Sequence, residues 1–252
     1  MNFLFRKPLT AISLFSLGFA SANAAIVFSE DFETPATDNF TTAAPSNWVK
    51  GSTGPFGSNR SGVWDESYTV GDASTTLESS NSSVPDGAGF STSDGSQAYL
   101  LSYYNNNNGI TSKEGVIGDI ALGDYSLSLL MGIPTNIVDG QFNNAIADIT
   151  VKIYAIADSG VDRRNATVAP VSATLLDSTV LSSTANALES KTFNFTLSDS
   201  QYVGQDLAIQ FQADAYDFPL LDAVALDFVA VPEPRAALLG GLGLLALLRR
   251  RR

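Results

Sequence analysis

Leu207-Ala208-Ile209-Gln210-Phe211-Gln212-Ala213 places Leu, Ile, Phe and Ala on every second position, with Ala208 and two glutamines between them. Side chains of a strand point alternately to opposite faces, so a period of two reads as a strand with one face in a core. The same rule holds on both sides of this stretch. Phe193, Phe195 and Leu197 alternate with Asn194, Thr196 and Ser198, and Ile149, Val151, Ile153 and Ala155 share a face opposite Thr150 and Lys152. Tyr125-Ser126-Leu127-Ser128-Leu129 alternates as well, and Val224, Leu226 and Phe228 fall together in a last strand from Ala223 to Ala230.

The first half is looser. From Lys50 to Gly95 the chain is dominated by Gly, Ser, Thr, Asn and Asp, with strand-like pieces at Val63-Trp64 and Tyr68-Thr69-Val70 and a firmer strand at Ala98 to Tyr104. Long polar loops of this kind cover one rim of a β-fold and carry its specificity. Asn105 to Asn108 with Gly109 reads as a turn. No amphipathic helical stretch and no solenoid or propeller period interrupts the pattern. The expected class is all-β, an antiparallel two-sheet β-sandwich of jelly-roll topology, in one domain spanning residues 25–230.

The two ends read as addresses. Arg6 and Lys7, an apolar stretch from Leu9 to Ala20 and the small-residue exit Ala22-Asn23-Ala24 have the three-part layout of a secretory signal peptide, residues 1–24, with cleavage between Ala24 and Ala25. An apolar core of this length is too short to span about 30 Å of hydrocarbon. At the other end, Val231-Pro232-Glu233-Pro234 is followed by Arg235, an apolar run from Ala236 to Leu248, and Arg249, Arg250, Arg251 and Arg252. Proline fixes φ and lacks a donor, so Pro-Glu-Pro makes an extended, accessible hinge. The apolar run gives a short membrane helix of about 20 Å, with flanking arginines that snorkel to the interfaces. The terminal arginines predict a cytoplasmic C-terminus.

Motif, short Gly/Leu/Ala helix and basic end, in that order over residues 231–252, resemble the PEP-CTERM protein-sorting signal. That resemblance implies an exosortase, a membrane transpeptidase-like protease, as partner, and a bacterium that makes extracellular polysaccharide. The expected location is the outer surface or extracellular matrix, with transient anchoring in the inner membrane. An ordinary C-terminal tail-anchor is the alternative.

Composition removes whole classes of chemistry. The chain has no Cys and no His, which excludes disulfides, thiol catalysis, Ser-His-Asp chemistry and the usual zinc, copper and haem ligands. Between residues 25 and 230 seven basic residues stand against 25 acids, the chain's 26 less Glu233, for a net charge of −18. A field of that sign repels nucleic acid and anionic lipid. Calcium remains open, because it needs only carboxylate and carbonyl oxygens.

Phe28-Ser29-Glu30-Asp31-Phe32-Glu33 followed by Trp48, with the closing Leu221-Asp222-Ala223-Val224-Ala225-Leu226, resembles the first and last strands of jelly-roll carbohydrate-binding modules and their galactose-binding-like relatives. The resemblance implies a structural calcium shared by the terminal strands, with Glu33 and Glu30 from the first and Asp222 from the last. Ala223 stands where many relatives carry a second polar residue. For a sugar ligand the candidate platform is Trp48, Trp64, Asp65 and Tyr68, since a pyranose packs its apolar face on an aromatic ring while carboxylates and amides take its hydroxyls. The alternative assigns both tryptophans to the core, as anchors of the long loops. Asp65-Glu66, Asp214 and Asp217 can be nominated as a glycosidase pair, but no spacing singles them out.

The expectation is therefore a non-catalytic exported protein associated with extracellular polysaccharide. A polysaccharide-degrading enzyme on the same scaffold and a ligand-free coat protein are the alternatives.

Overall fold

The computed structural model describes residues 24–37, 40–41, 43–50, 61–67, 90–101, 109–134, 147–157, 173–183, 188–213, 219–231 and 249. Residues 1–23 of the expected signal peptide, Tyr68, Asp214, Asp217, Pro232-Glu233-Pro234, the apolar run from Ala236 to Leu248 and Arg250 to Arg252 lie outside them. Among the described residues no helix is long and apolar enough to cross a membrane.

Twelve strands run in chain order: β1 (Ala25–Glu30), β2 (Phe40–Thr41), β3 (Trp48–Lys50), β4 (Gly62–Asp65), β5 (Gln97–Leu100), β6 (Gly109–Ser112), β7 (Gly123–Gly132), β8 (Ala147–Ile156), β9 (Ala173–Ser183), β10 (Glu189–Leu197), β11 (Asp206–Ala213) and β12 (Leu220–Ala230). They form two antiparallel sheets. The seven-stranded sheet has the order β10-β7-β12-β5-β4-β2, with β1 also pairing β12, and the five-stranded sheet has the order β3-β6-β11-β8-β9. From β5 onward the chain crosses between sheets at every connection except β8 to β9, which is how a jelly roll builds a sandwich. All-β class and two-sheet architecture are as the alternation predicts.

The alternating residues fill the space between the sheets. Leu127, Leu129 and Met131 of β7, Ile149, Val151 and Ile153 of β8, and Leu207, Ile209 and Phe211 of β11 are all buried in one core. Trp48 sits at its centre, edge-on to Phe28 at 5.8 Å and tilted against Phe211 at 5.5 Å, so it joins the two sheets. Ring pairs of this kind add about 0.5–1.5 kcal/mol beyond the burial of their area.

Four strands have no counterpart in the alternation of the sequence: the short β2 and β3, and β6 and β9. β6 begins at Gly109, where the asparagine run predicts only a turn, and β9 carries little alternation because it is an edge strand with most residues exposed.

Candidate functional site

Trp48 and Trp64, predicted as a sugar platform, are both fully buried. Trp48 donates its Nε1–H to Glu30 Oε2 at 3.2 Å inside the main core. Trp64 lies on the other side of its sheet. Its neighbour Val63 pairs with Tyr99 and faces the main core, so Trp64, opposite Ala98 and Phe40, points outward. There Phe90 closes over it edge-on at 5.4 Å. Neither ring offers a face to a ligand, and the core reading of both tryptophans replaces the platform. Asp65, 9% exposed, accepts from the Ser67 N–H at 2.9 Å and serves as a turn anchor.

The three acids proposed for calcium do lie where the terminal strands meet. β1 ends beside β12 where β5 also reaches it, so Glu30, Glu33 and Asp222 gather at one rim. Each is used by the protein itself. Glu30 accepts from Phe32 N–H at 3.1 Å, Asn47 Nδ2 at 2.9 Å and Trp48. Glu33 Oε1 accepts the backbone N–H groups of Ser96 at 2.7 Å and Gln97 at 2.9 Å, and Oε2 accepts from the Gln97 amide at 3.3 Å. Burial pushes the Glu33 carboxyl up, but these bonds outweigh it and hold it below its ordinary value. Gly95, at φ +66°, makes room for this carboxylate, because a Cβ there would occupy the space of Glu33 Oε1.

Asp222 is fully buried and accepts from Thr92 Oγ1 and from its neighbour Ala223 N–H. Burial drives its carboxyl up to about 7, and the charges of Asp94 and Glu33 add to the rise while the two hydrogen bonds oppose it. A β-bulge between Asp222 and Ala225, with Ala223 at φ +46°, turns the strand here. Charge at this rim suits a hard cation; geometry does not. Both oxygens of Glu33 and Asp222 face N–H or O–H donors, and among the described residues no group of three or more carboxylates stands close enough to hold a metal ion. As arranged, Glu33 and Asp222 fasten the first and last strands to residues 92–97, and Glu30 holds Asn47 and Trp48. A groove of about 550 Å³ opens beside it, lined by Glu30, Asp31, Asn47 and Asp94.

The outward face of the five-stranded sheet carries the arrangement that sequence reasoning missed. Register places Thr111, Gln210, Lys152 and Ser178 in one row across β6, β11, β8 and β9. The next row holds Gly109, Gln212, Thr150 and Val180. Gln210 Nε2 donates to Thr111 Oγ1 at 3.0 Å, and Lys152 Nζ donates to Gln212 Oε1 at 2.8 Å. On the other side of these rows Tyr154, Ile156 and Ala208 make a small apolar cluster against Ala173. Burial raises the Tyr154 phenol above its usual range, so it stays a neutral donor and acceptor. Tyr154, Ile156 and Ala208 are themselves buried, so the groups of this face open to a polyol are the half-buried side chains of Lys152, Gln212 and Thr150, which can take its hydroxyls. The signal was present in Gln210 and Gln212, polar residues on the non-core face of a central strand, but it was read only as alternation.

No protein-family model matches the chain, and no curated protein matches it in sequence. Solved structures do share its shape. A Stig cyclase, Fisc from Fischerella sp. TAU, crystallised with (3Z)-3-(1-methyl-2-pyrrolidinylidene)-3H-indole, is 15% identical with a TM-score of 0.50, and the match covers 83% of this chain and 100% of that one. The CBM22-1 xylan-binding domain from Paenibacillus barcinonensis Xyn10C is 13% identical with a TM-score of 0.46, covering 84% of this chain and 100% of that domain. At 15% identity the likeness to the cyclase is one of fold alone.

Proposed function

We propose that the sandwich is a non-catalytic polysaccharide-binding module of an exported protein, and that its ligand lies on the outward face of the five-stranded sheet. The observation that carries this reading is the polar layout of that face, with Lys152, Gln212 and Thr150 half-buried in two adjacent rows. Half-buried amides and hydroxyls are partly desolvated and already oriented, so a sugar hydroxyl that replaces water there gains a directed hydrogen bond. The acidic field of the domain favours neutral chains over anionic ones.

Hydrolysis has weaker support. Asp222 is the carboxyl raised into the range of a general acid, but it is fully buried and bonded to Thr92 and Ala223. Among the described residues its side chain is closed off from solvent. The test is a glycan array and insoluble-polysaccharide pull-down with the protein and its Lys152→Ala/Gln212→Ala variant. Binding that survives in the variant moves the ligand elsewhere, and no binding by the parent protein sinks the module reading.

Residues 231–252 belong to the same proposal as a sorting tail. The order Pro232-Glu233-Pro234, apolar run and terminal arginines supports reading by an exosortase-like protease and a weak membrane hold. Deleting residues 235–252 or replacing Glu233 with Ala should release or misplace the protein in its bacterial host. Unchanged surface retention of both variants would contradict the sorting role.

A further inference from the structure

β9 is the last strand of the five-stranded sheet, and it is 11 residues long with its outer edge unpaired among the described residues. Natural sheets protect such edges with Lys, Pro, bulges or very short strands. β9 contains no Lys, Arg or Pro. It carries one bulge, opposite Ile153 and Tyr154, and one charge, Asp177, beside that bulge. Beyond them the strand from Ser178 to Ser182 is regular and uncharged, with no partner on its outer edge among the described residues and Val180 55% exposed.

We propose that this edge pairs antiparallel with β9 of a second copy of the chain, with Val180 on the two-fold axis. An isologous contact requires a self-complementary patch, and Ser178-Thr179-Val180-Leu181-Ser182 supplies one. About Val180, Ser178 meets Ser182 of the second copy and Thr179 meets Leu181 of the second copy. Residues that share a face in one copy then share it in the pair, as antiparallel register demands. Asp177 falls opposite Ser183 of the second copy, so the two aspartates stand about 20 Å apart along the strands.

Charge does not oppose this register. In one copy Lys152 pairs Ser178 and Asp148 pairs Ser182. Joining the copies therefore gives a row that runs Lys152, Ser178, then Ser182 and Asp148 of the second copy, and the symmetry repeats it in reverse. Opposite ends of each row carry opposite charges. A basic or acidic partner protein would find no matching charge on Ser178–Ser183, whereas a second copy meets its own neutral strip. The acidic balance of the whole chain, net −12, opposes association at long range, so salt should strengthen the pair by screening. The row Gln212, Thr150 and Val180 would continue through the axis into its own image, doubling the length of the outward face. The inference rests on the edge and not on the sugar reading.

The chain has no cysteine, so a single introduced thiol reports cleanly. Full-length Val180→Cys, mildly oxidised and run without reductant, should give a band at twice the 26.6 kDa monomer mass, with formation at least ten-fold faster than for Ser190→Cys on exposed β10. Ser178→Cys and Ser182→Cys should cross-link when mixed and far less when alone. Added salt should speed the Val180→Cys reaction. Cross-linking of Val180→Cys no faster than Ser190→Cys overturns the proposal, and so does equal reaction of the mixed and separate Ser178→Cys and Ser182→Cys chains. Association driven by the C-terminal tail would label both thiol positions alike, and that outcome also counts against it.

Discussion

Around β4 and β5 the outward face of the seven-stranded sheet carries Trp64, Ala98 and Leu100, all fully buried, with Phe40 beside them. The outward face of the five-stranded sheet instead carries Thr111 and Gln210, equally buried, with Lys152 and Gln212 half-buried beside them. Both faces are withdrawn from water, but by different chemistry. The apolar one is closed by a ring, Phe90 on Trp64, and gains its stability from area removed from water. The polar one is held by side-chain hydrogen bonds that run from strand to strand, Gln210 to Thr111 and Lys152 to Gln212, each worth about 0.5–1.5 kcal/mol net. One face is finished by packing; the other stays chemically able to bind.

That contrast can be broken by substitution. The largest effect is expected at Trp48, which belongs to neither outward face. Trp48→Ala should lower unfolding free energy by about 3–5 kcal/mol, with added loss because Glu30 would keep one fewer donor; urea titration measures it. A loss under 1 kcal/mol would mean the core between the sheets does not depend on this ring.

Trp64→Ala sharpens the comparison. A packed outward layer predicts destabilisation of about 3 kcal/mol, whereas an exposed platform predicts almost none and a loss of ligand instead. The two outcomes separate closure from recognition.

Next comes pH. The folded Asp222 carboxyl titrates near 7 against an ordinary value of 3.8. A raised folded value means that the native state binds the extra proton, so its stabilising contribution is complete below about pH 4 and is lost as pH rises through 7. Thermal midpoints should fall across that window, and Asp222→Asn should flatten the slope. A slope unchanged in Asp222→Asn would assign the pH dependence to other groups.

The smallest stability effect is expected on the polar face. Lys152→Ala or Gln212→Ala should change unfolding free energy by about 1 kcal/mol or less, because the partner left behind is only half-buried and can turn to water.

The sequence made one of these regions legible and hid the other for the same physical reason. A period of two shows which residues share a face. It does not show which face is inside when a strand is covered on both sides. Along β11, Leu207, Ile209 and Phe211 were correctly placed in the core, and Gln210 and Gln212 were correctly placed opposite them. Along β4, Gly62-Val63-Trp64-Asp65 is buried at every position, so alternation carries no information, and polar surroundings leave Trp64 open to both a platform and a core reading. The terminal acids were located correctly at one rim, yet their hydrogen bonds to Ser96, Gln97, Thr92 and Trp48 join positions up to 130 residues apart. No local pattern encodes such partners. β9 was missed because an edge strand need not alternate when neither of its faces is well covered.

The central claim, that the outward face of the five-stranded sheet is the recognition surface, is tested most directly by polysaccharide affinity of the parent protein against the Lys152→Ala/Gln212→Ala variant, with unfolding midpoints measured in parallel. Affinity should fall at least ten-fold in the variant with its midpoint nearly unchanged. Equal affinity in a folded variant would contradict the claim.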